Sequence, residues 1–352
     1  MQLTEMLKEA VEKGASDIFI VSGLPLAYKI NNSIQNQSEE KLYPDATRRM
    51  ILEIYELASQ RDPKRLLEKG DDDFSFSLVG VSRFRVSTYK QRGSLAAVIR
   101  VVKFDLPDPV QLGVPQTVLD LGRLKKGLVL VTGPAGSGKS TTLACMIDLI
   151  NRSRNCHVIT LEDPIEYLHS HKKSVVSQRE ISNDTESYVT ALRAALRQAP
   201  NVILLGEMRD YETISTALTA AETGHLVFST LHTVGAANTI DRVIDAFPPN
   251  QQPQIRVQLS MVLQAVVSQQ LIPAKDGSVA TAFEIMKVNG AIRNMIRDSK
   301  IPQIEGVINS SAKEDMISMD ASLLSLFKKG QITKETALTY ATNPEMLGRK
   351  LI

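Results

Sequence analysis

Residues 128–132, LVLVT, form an apolar run that passes straight into GPAGSGKSTT at 133–142. Gly133, Gly136, Gly138, Lys139 and Ser140 fall in the spacing G-x-x-x-x-G-K-S, and few short stretches restrict a fold so strongly. A phosphate chain needs successive backbone N–H groups aimed into one concavity, and glycine permits both the unusual dihedrals and the close approach. The helix expected to follow adds its amino end, where unpaired N–H groups and the helix dipole favour an anion. The stretch therefore predicts a strand, a phosphate-cradling turn and a helix in that order. Gly133, Pro134, Ala135, Gly136, Ser137, Gly138, Lys139, Ser140 and Thr141 are the candidate nucleotide-binding residues. Lys139 is expected at the β- and γ-phosphates and the Ser140 hydroxyl on Mg²⁺, so ATP and Mg²⁺ are the expected ligands. The spacing is not G-x-G-x-x-G, which argues against a nicotinamide cofactor.

The surrounding pattern agrees with an α/β sheet. LVLVT, HVITLED (157–163), VILLGE (202–207) and LVFSTLH (226–232) are apolar runs separated by helical stretches at 139–151, 187–198 and 211–221. Such alternation predicts a mostly parallel sheet covered on both faces. From Pro248 onward a mainly helical region is expected, at 251–270, 290–299, 301–310, 319–328 and 333–341. The first hundred residues read differently. An amphipathic helix over 3–13, a short strand IFIV, a helix over 47–58, a hairpin FSFSLV–SRFRVSTY turning at Gly80, and LAAVIRVV predict a small α+β domain. Pro107, Pro109, Gly113 and Pro115 mark a linker. The expected boundaries are residues 1–104, a linker at 105–118, and 119–352. The acidic run Asp71–Asp73 reads as a turn before a strand rather than a metal cluster.

Composition removes several classes. Lys plus Arg number 41 against 39 Asp plus Glu, a formal charge of +2 without a long single-sign block, which withdraws the basic-protein argument for nucleic acid. Two cysteines, Cys145 and Cys156, lack partners at metal-ligand spacing and predict neither a disulfide framework nor a thiolate zinc site. The opening MQLTEMLKEAVEKGASD has helical periodicity and acidic residues where a signal peptide needs an apolar centre. No segment approaches the roughly 20 apolar residues of a membrane span, so a cytoplasmic address is expected.

Hydrolysis also needs carboxylates. Glu207 closes the run VILLG and is expected at the carboxyl edge of a core strand, where it can hold Mg²⁺ through water. LEDPIE offers Glu162, Asp163 and Glu166, one of which can orient the attacking water and accept its proton; the residues alone leave all three open. His225 and His232 flank LVFSTL. Zinc would need a third ligand, and none lies at suitable spacing, so a hydrogen-bonding or γ-phosphate-sensing role is expected. His157, His169 and His171 read as surface or strand-edge residues.

GPAGSGKSTT, LEDPIEY, LLGEMRD, AAETGHLVFSTLHT and AIRNMIRD in this order closely resemble the type IV pilus retraction ATPases, a branch of the type II/IV secretion ATPases. The resemblance covers nearly the whole chain and is strongest from Gly127 to about Arg297. It implies a RecA-like P-loop ATPase domain behind a smaller PAS-like α+β domain, ATP between the two, and a homohexameric ring. Within it, Gly133–Ser140 match the Walker A motif, Glu166 the general base, Glu207 the Walker B glutamate, and His225 and His232 the His-box pair. Arg83, Arg85 and Arg100 resemble the N-domain arginines that approach nucleotide phosphates; Arg197 and Arg209 are weaker matches. AIRNMIRD, at 291–298, differs at Met295 and Asp298 from the AIRNLIRE motif associated with retraction. The implied activity is ATP hydrolysis that removes pilin from the filament base. The implied partners are a platform protein of the inner membrane and, through it, the filament, with peripheral attachment there and no direct nucleic-acid contact. A pilus-extension or type II secretion ATPase and a RecA-like nucleic-acid motor are the alternatives. The first kind usually carries an extra N-terminal domain and a zinc-binding cysteine cluster.

Overall fold

The computed structural model describes residues 3–31, 33–102, 106–311 and 314–351. The expected domain boundary at Phe104 and Asp105 lies outside them. By internal contacts the chain divides into one unit of Met1–Asp105 with Glu166–Leu168 and a second of Leu106–Ile165 with His169–Ile352.

Among the described residues the first unit runs α1 (Leu3–Glu12), β1 (Asp17–Ile20), β2 (Pro25–Ile30), β3 (Ser33–Lys41), α2 (Pro44–Leu57), α3 (Lys64–Lys69), β4 (Asp71–Leu78), β5 (Ser82–Gln91) and β6 (Ser94–Val102). The strands form one antiparallel sheet in the order β3-β2-β1-β6-β5-β4. Leu3, Met6 and Leu7 of α1 and Ile51, Ile54 and Tyr55 of α2 share a buried cluster with Ile18, Ile20, Phe84, Val86, Ala97 and Ile99 of the sheet. The Leu, Ile, Val, Met and Phe side chains among them each contribute about 1.5–3 kcal/mol on burial. Strand alternation then sends the intervening residues to the other face. The acidic run 71–73 is not a turn, as expected from sequence, but the start of β4. Alternation buries Asp72, whose carboxylate accepts Arg61 Nε and Nη2 at 3.0 Å each and Tyr55 Oη at 3.1 Å.

The second unit continues with α4 (Gln116–Asp120), a 3-10 turn at Leu121–Arg123, β7 (Gly127–Thr132), α5 (Lys139–Ser153), β8 (His157–Glu162), β9 (Val175–Glu180), α6 (Tyr188–Ala195), β10 (Val202–Leu205), α7 (Tyr211–Glu222), β11 (Leu226–Leu231) and α8 (Ala236–Asp245). It ends with α9 (Gln252–Val262), β12 (Leu263–Pro273), β13 (Val279–Lys287), α10 (Gly290–Arg297), α11 (Ile304–Ser310), α12 (Met319–Lys328), α13 (Lys334–Thr339) and α14 (Pro344–Gly348). Its sheet has the order β13-β12-β7-β11-β10-β8-β9, parallel except for β13, which runs antiparallel to β12. Successive residues of β7 feed opposite cores: Leu128 and Leu130 one, Val129 and Val131 the other. Strands buried on both faces read as unbroken apolar runs, which is why β7, β8, β10 and β11 stand where they were expected.

One expected helix is corrected. The stretch 251–270 is helical only to Val262, and Leu263–Pro273 is a strand paired parallel to β7. Apolar residues in LQAVVSQQLI fit either period, and burial of Val266 and Val267 in opposite cores decides for the strand. β2, β3, β9 and β13 were not anticipated. His169, expected at the surface or a strand edge, is partly buried, and burial pushes its imidazole down to about 4. Both cysteines are free, and burial pushes the Cys145 thiol up to about 11. No helix among the described residues is long and apolar enough to cross a membrane.

Candidate nucleotide site

The phosphate turn lies between β7 and α5, as its sequence predicts. Gly133, Gly136 and Gly138 have φ of 139°, 75° and 84°, the left-handed half of dihedral space that glycine enters without penalty. At Gly133 a second constraint acts: a Cβ there would lie 2.1 Å from the Gln269 carbonyl oxygen. Gln269, on β12, braces the turn from outside. Its Nε2 donates to Ser137 O at 2.7 Å and its Oε1 accepts Thr142 Oγ1 at 2.8 Å.

Lys139 is 8% exposed, and its ammonium is folded onto the turn, donating to Gly133 O at 2.9 Å and Pro134 O at 2.8 Å. The Ser137 hydroxyl is buried within the same turn and takes no hydrogen-bond partner among the described residues. A lysine held by carbonyl oxygens, an orphaned hydroxyl and the open amino end of a 15-residue helix fit a polyphosphate. Ser140 is exposed in the first turn of α5. Among the described residues there is no group of three or more His, Cys, Asp or Glu that could hold a metal. A magnesium ion fits this arrangement, because Mg²⁺ is commonly held by one or two protein groups together with phosphate oxygens and water.

Parallel register collects the other groups at the same sheet edge. Leu161, Leu205 and Ser229 are neighbours across β8, β10 and β11, and Leu231 faces Thr132 of β7. The strand ends therefore emerge together: Glu162 closes β8, Glu207 lies two residues past β10, and His232 and Gly133 directly follow β11 and β7. Glu207 is 14% exposed; its Oε2 receives Arg209 Nε at 2.7 Å and lies 3.5 Å from His232 Nε2. Arg209 is held more firmly charged by this hydrogen bond and by the Glu207 charge. Glu162 accepts Thr160 Oγ1 at 2.6 Å and Gln178 Nε2 at 3.2 Å. Glu166 is exposed, two residues beyond the cis Asp163–Pro164 bond.

His225 is not at this edge. It precedes β11 whereas His232 follows it, a separation of roughly 20 Å by strand rise. Its Nδ1 sits 2.9 Å from Ala220 O, tying β11 to the end of α7. In the first unit, Arg85 and Arg100 are direct cross-strand partners, and Arg83, two positions from Arg85, shares their face. Arg100 Nε donates to Asp17 Oδ1 at 3.0 Å, and Arg83 Nη1 to Ser77 Oγ at 3.3 Å.

Two groups were missed in the sequence. Gln269 lay inside an expected helix. Tyr188 opens α6 behind the acidic groups, where burial, and then the charges of Asp163, Glu207 and Glu162, raise its phenol above the usual range. The distance from the motif hid Gln269; Tyr188 carried no local signal.

Fold and site together define a RecA-like P-loop ATPase domain joined in one chain to a smaller PAS-like α+β domain. The family described as T2SSE, Type II/IV secretion system protein, matches residues 1–322, and the chain belongs to this family. It is 43% identical over 345 residues to the Type IV pilus retractation ATPase PilT of Pseudomonas aeruginosa, covering 98% of this chain and 99% of that one. A Twitching motility protein of Neisseria gonorrhoeae is 48% identical over 276 residues, 78% of this chain and 74% of that one. Among solved structures, the pilus retraction motor PilT with bound ADP aligns at a TM-score of 0.90 and 47% identity over 99% of both chains.

Proposed function

We propose that this chain is an ATP-hydrolysing motor that drives type IV pilus retraction, removing pilin subunits at the filament base. The observation that carries the chemistry is the turn at 133–139 with its lysine, at the sheet edge where Glu207 and His232 also meet. Similarity along nearly the full length to a pilus retraction ATPase supports the biological assignment.

In this reading the backbone N–H groups of Ala135–Ser140 bind the phosphates, and Lys139 exchanges two carbonyl partners for phosphate oxygens. Ser140, with Glu207 through water, would hold Mg²⁺, which supplies neutralisation of charge on the phosphates. Glu166 is the proposed general base, orienting water and accepting its proton. His232, beside Glu207, reports on the distal phosphate. His225 keeps a structural role. Arg83, Arg85 and Arg100 are proposed to bring positive charge to the nucleotide of their own or a neighbouring subunit. The proposed assembly is a homohexamer on the cytoplasmic side of the inner membrane, working on a platform protein and through it on the filament. Its domain boundaries are taken at 1–104, 105–118 and 119–352.

Glu166→Gln tests the chemistry directly. Turnover is expected to fall by about a hundred-fold or more while ADP affinity persists. Near-normal turnover would move the base to Glu162 or Asp163. For the biology, a deletion strain is expected to carry long pili that do not withdraw.

A further inference from the structure

Glu284 lies in β13, 6% exposed, outside every group assigned above. Among the described residues no salt bridge compensates this carboxylate. Its partners are instead two backbone N–H groups: Oε1 accepts Ala236 N at 2.7 Å and Oε2 accepts Met319 N at 3.4 Å. These are the first residues of α8 and α12, so one carboxylate closes the amino ends of two ten-residue helices. Such N–H groups have no partner inside their own helices, and both helix dipoles favour an anion there. Burial, and more weakly the charges of Glu305 and Asp320, raise the carboxyl pKa, while the two N–H bonds oppose the rise.

The segment Glu284 holds begins at the nucleotide edge. Only Thr233, Val234 and Gly235 separate His232 from Ala236. That short connection is fastened at several points. Gly235 N donates to Ser268 Oγ at 3.0 Å, and Ser268 is the β12 residue directly opposite Glu284. Thr233 Oγ1 and Thr239 Oγ1 lie 2.7 Å apart. On the other side, α12 belongs with α13 and α14 to a separate cluster built from Met319, Leu323, Ile332, Ala337 and Leu347.

The geometry points to Glu284 as a positioning residue for hydrolysis: it fixes the backbone that carries His232 beside Glu207 and binds that backbone to the C-terminal helices. This rests on the ATPase reading. Any displacement of the His232 segment on nucleotide turnover would pull on the same carboxylate that holds α12, a mechanical connection from phosphate edge to C-terminal helices through one side chain.

The test compares Glu284→Gln with Ser322→Ala. Gln keeps the size but offers an NH₂ group to one of the two backbone donors. Ser322 Oγ accepts Phe283 N at 3.1 Å, so its loss loosens α12 on β13 without touching α8. Glu284→Gln is expected to lower kcat about ten-fold with ADP affinity within a factor of about two, because Gln269 rather than Glu284 braces the phosphate turn. Ser322→Ala should retain kcat. In a His232→Ala background, Glu284→Gln should add little further loss, since both changes disable one unit. Unchanged kcat in Glu284→Gln, an equal loss in Ser322→Ala, or full additivity with His232→Ala would overturn the assignment. Hydrogen exchange of the unmodified chain decides it without any variant. Slow exchange at the Ala236 and Met319 amides supports the clamp, and exchange as fast as at an uncapped helix start overturns it. If the unmodified chain hydrolysed no ATP, the ATPase reading would fail, while the exchange result would still judge the clamp.

Discussion

The two sheets of this molecule present chemistry in opposite ways. The antiparallel sheet of the first unit sends its large apolar side chains into one core and carries polar groups on its other face: Asp17, Arg85 and Arg100 form one cross-strand row with Lys29 and Ser75. In the parallel sheet of the second unit, β7, β10 and β11 are buried along their whole length, and chemistry is displaced to the residues just past the strand ends. A one-sided sheet can place charge at any second residue; a two-sided sheet can place it only at an edge. The same contrast governs how errors should propagate. A change at the parallel sheet's edge alters a turn with fixed dihedrals, whereas a change at Arg85 or Arg100 on the polar face of the other sheet alters one exposed side chain.

The sharpest way to test that contrast is Gly133→Ala. The new Cβ would sit 2.1 Å from the Gln269 carbonyl, at a φ of 139° that alanine resists. ADP affinity is expected to drop about a thousand-fold, read by fluorescent-nucleotide titration. Asp72→Asn comes next and acts on the first unit's interior instead. It removes the charge from a fully buried carboxylate held by Arg61 and Tyr55. A loss of about 3 kcal/mol in denaturant unfolding is expected, with nucleotide affinity of the folded protein preserved. Gln269→Ala should weaken ADP binding about ten-fold by freeing the Ser137 carbonyl and the Thr142 hydroxyl, with Gln269→Glu worse because a carboxylate would face that carbonyl. Smallest in stability is Arg100→Ala. Its ion pair with Asp17 is 65% exposed on the arginine side, so unfolding should shift by less than about 1 kcal/mol. Turnover should nevertheless fall in that variant if the polar face serves the phosphates; unchanged turnover would remove Arg100 from the site and narrow the contrast to geometry alone.

How much of this was legible in the sequence follows from the range of each interaction. Local sequence by itself determined the phosphate turn, because glycine dihedrals, the helix start and the lysine are all specified within eight residues. It also determined the four strands β7, β8, β10 and β11, whose burial on both faces leaves an apolar run, and the placement of Glu207 and His232 just beyond two of them. Tertiary structure alone decided that LQAVVSQQLI is a strand rather than the end of a helix, since its apolar residues suit both periods and only pairing with β7 discriminates. From that one choice follow the brace at Gln269, the Ser268 contact to Gly235 and the register that sets Glu284 opposite it. It likewise separated His225 from His232, which look equivalent as flanks of one strand until parallel pairing gives the sheet a working edge and an idle one. Short-range chemistry can be read from neighbours in the chain, but a strand's partner, and therefore what its side chains reach, depends on burial that the whole chain supplies.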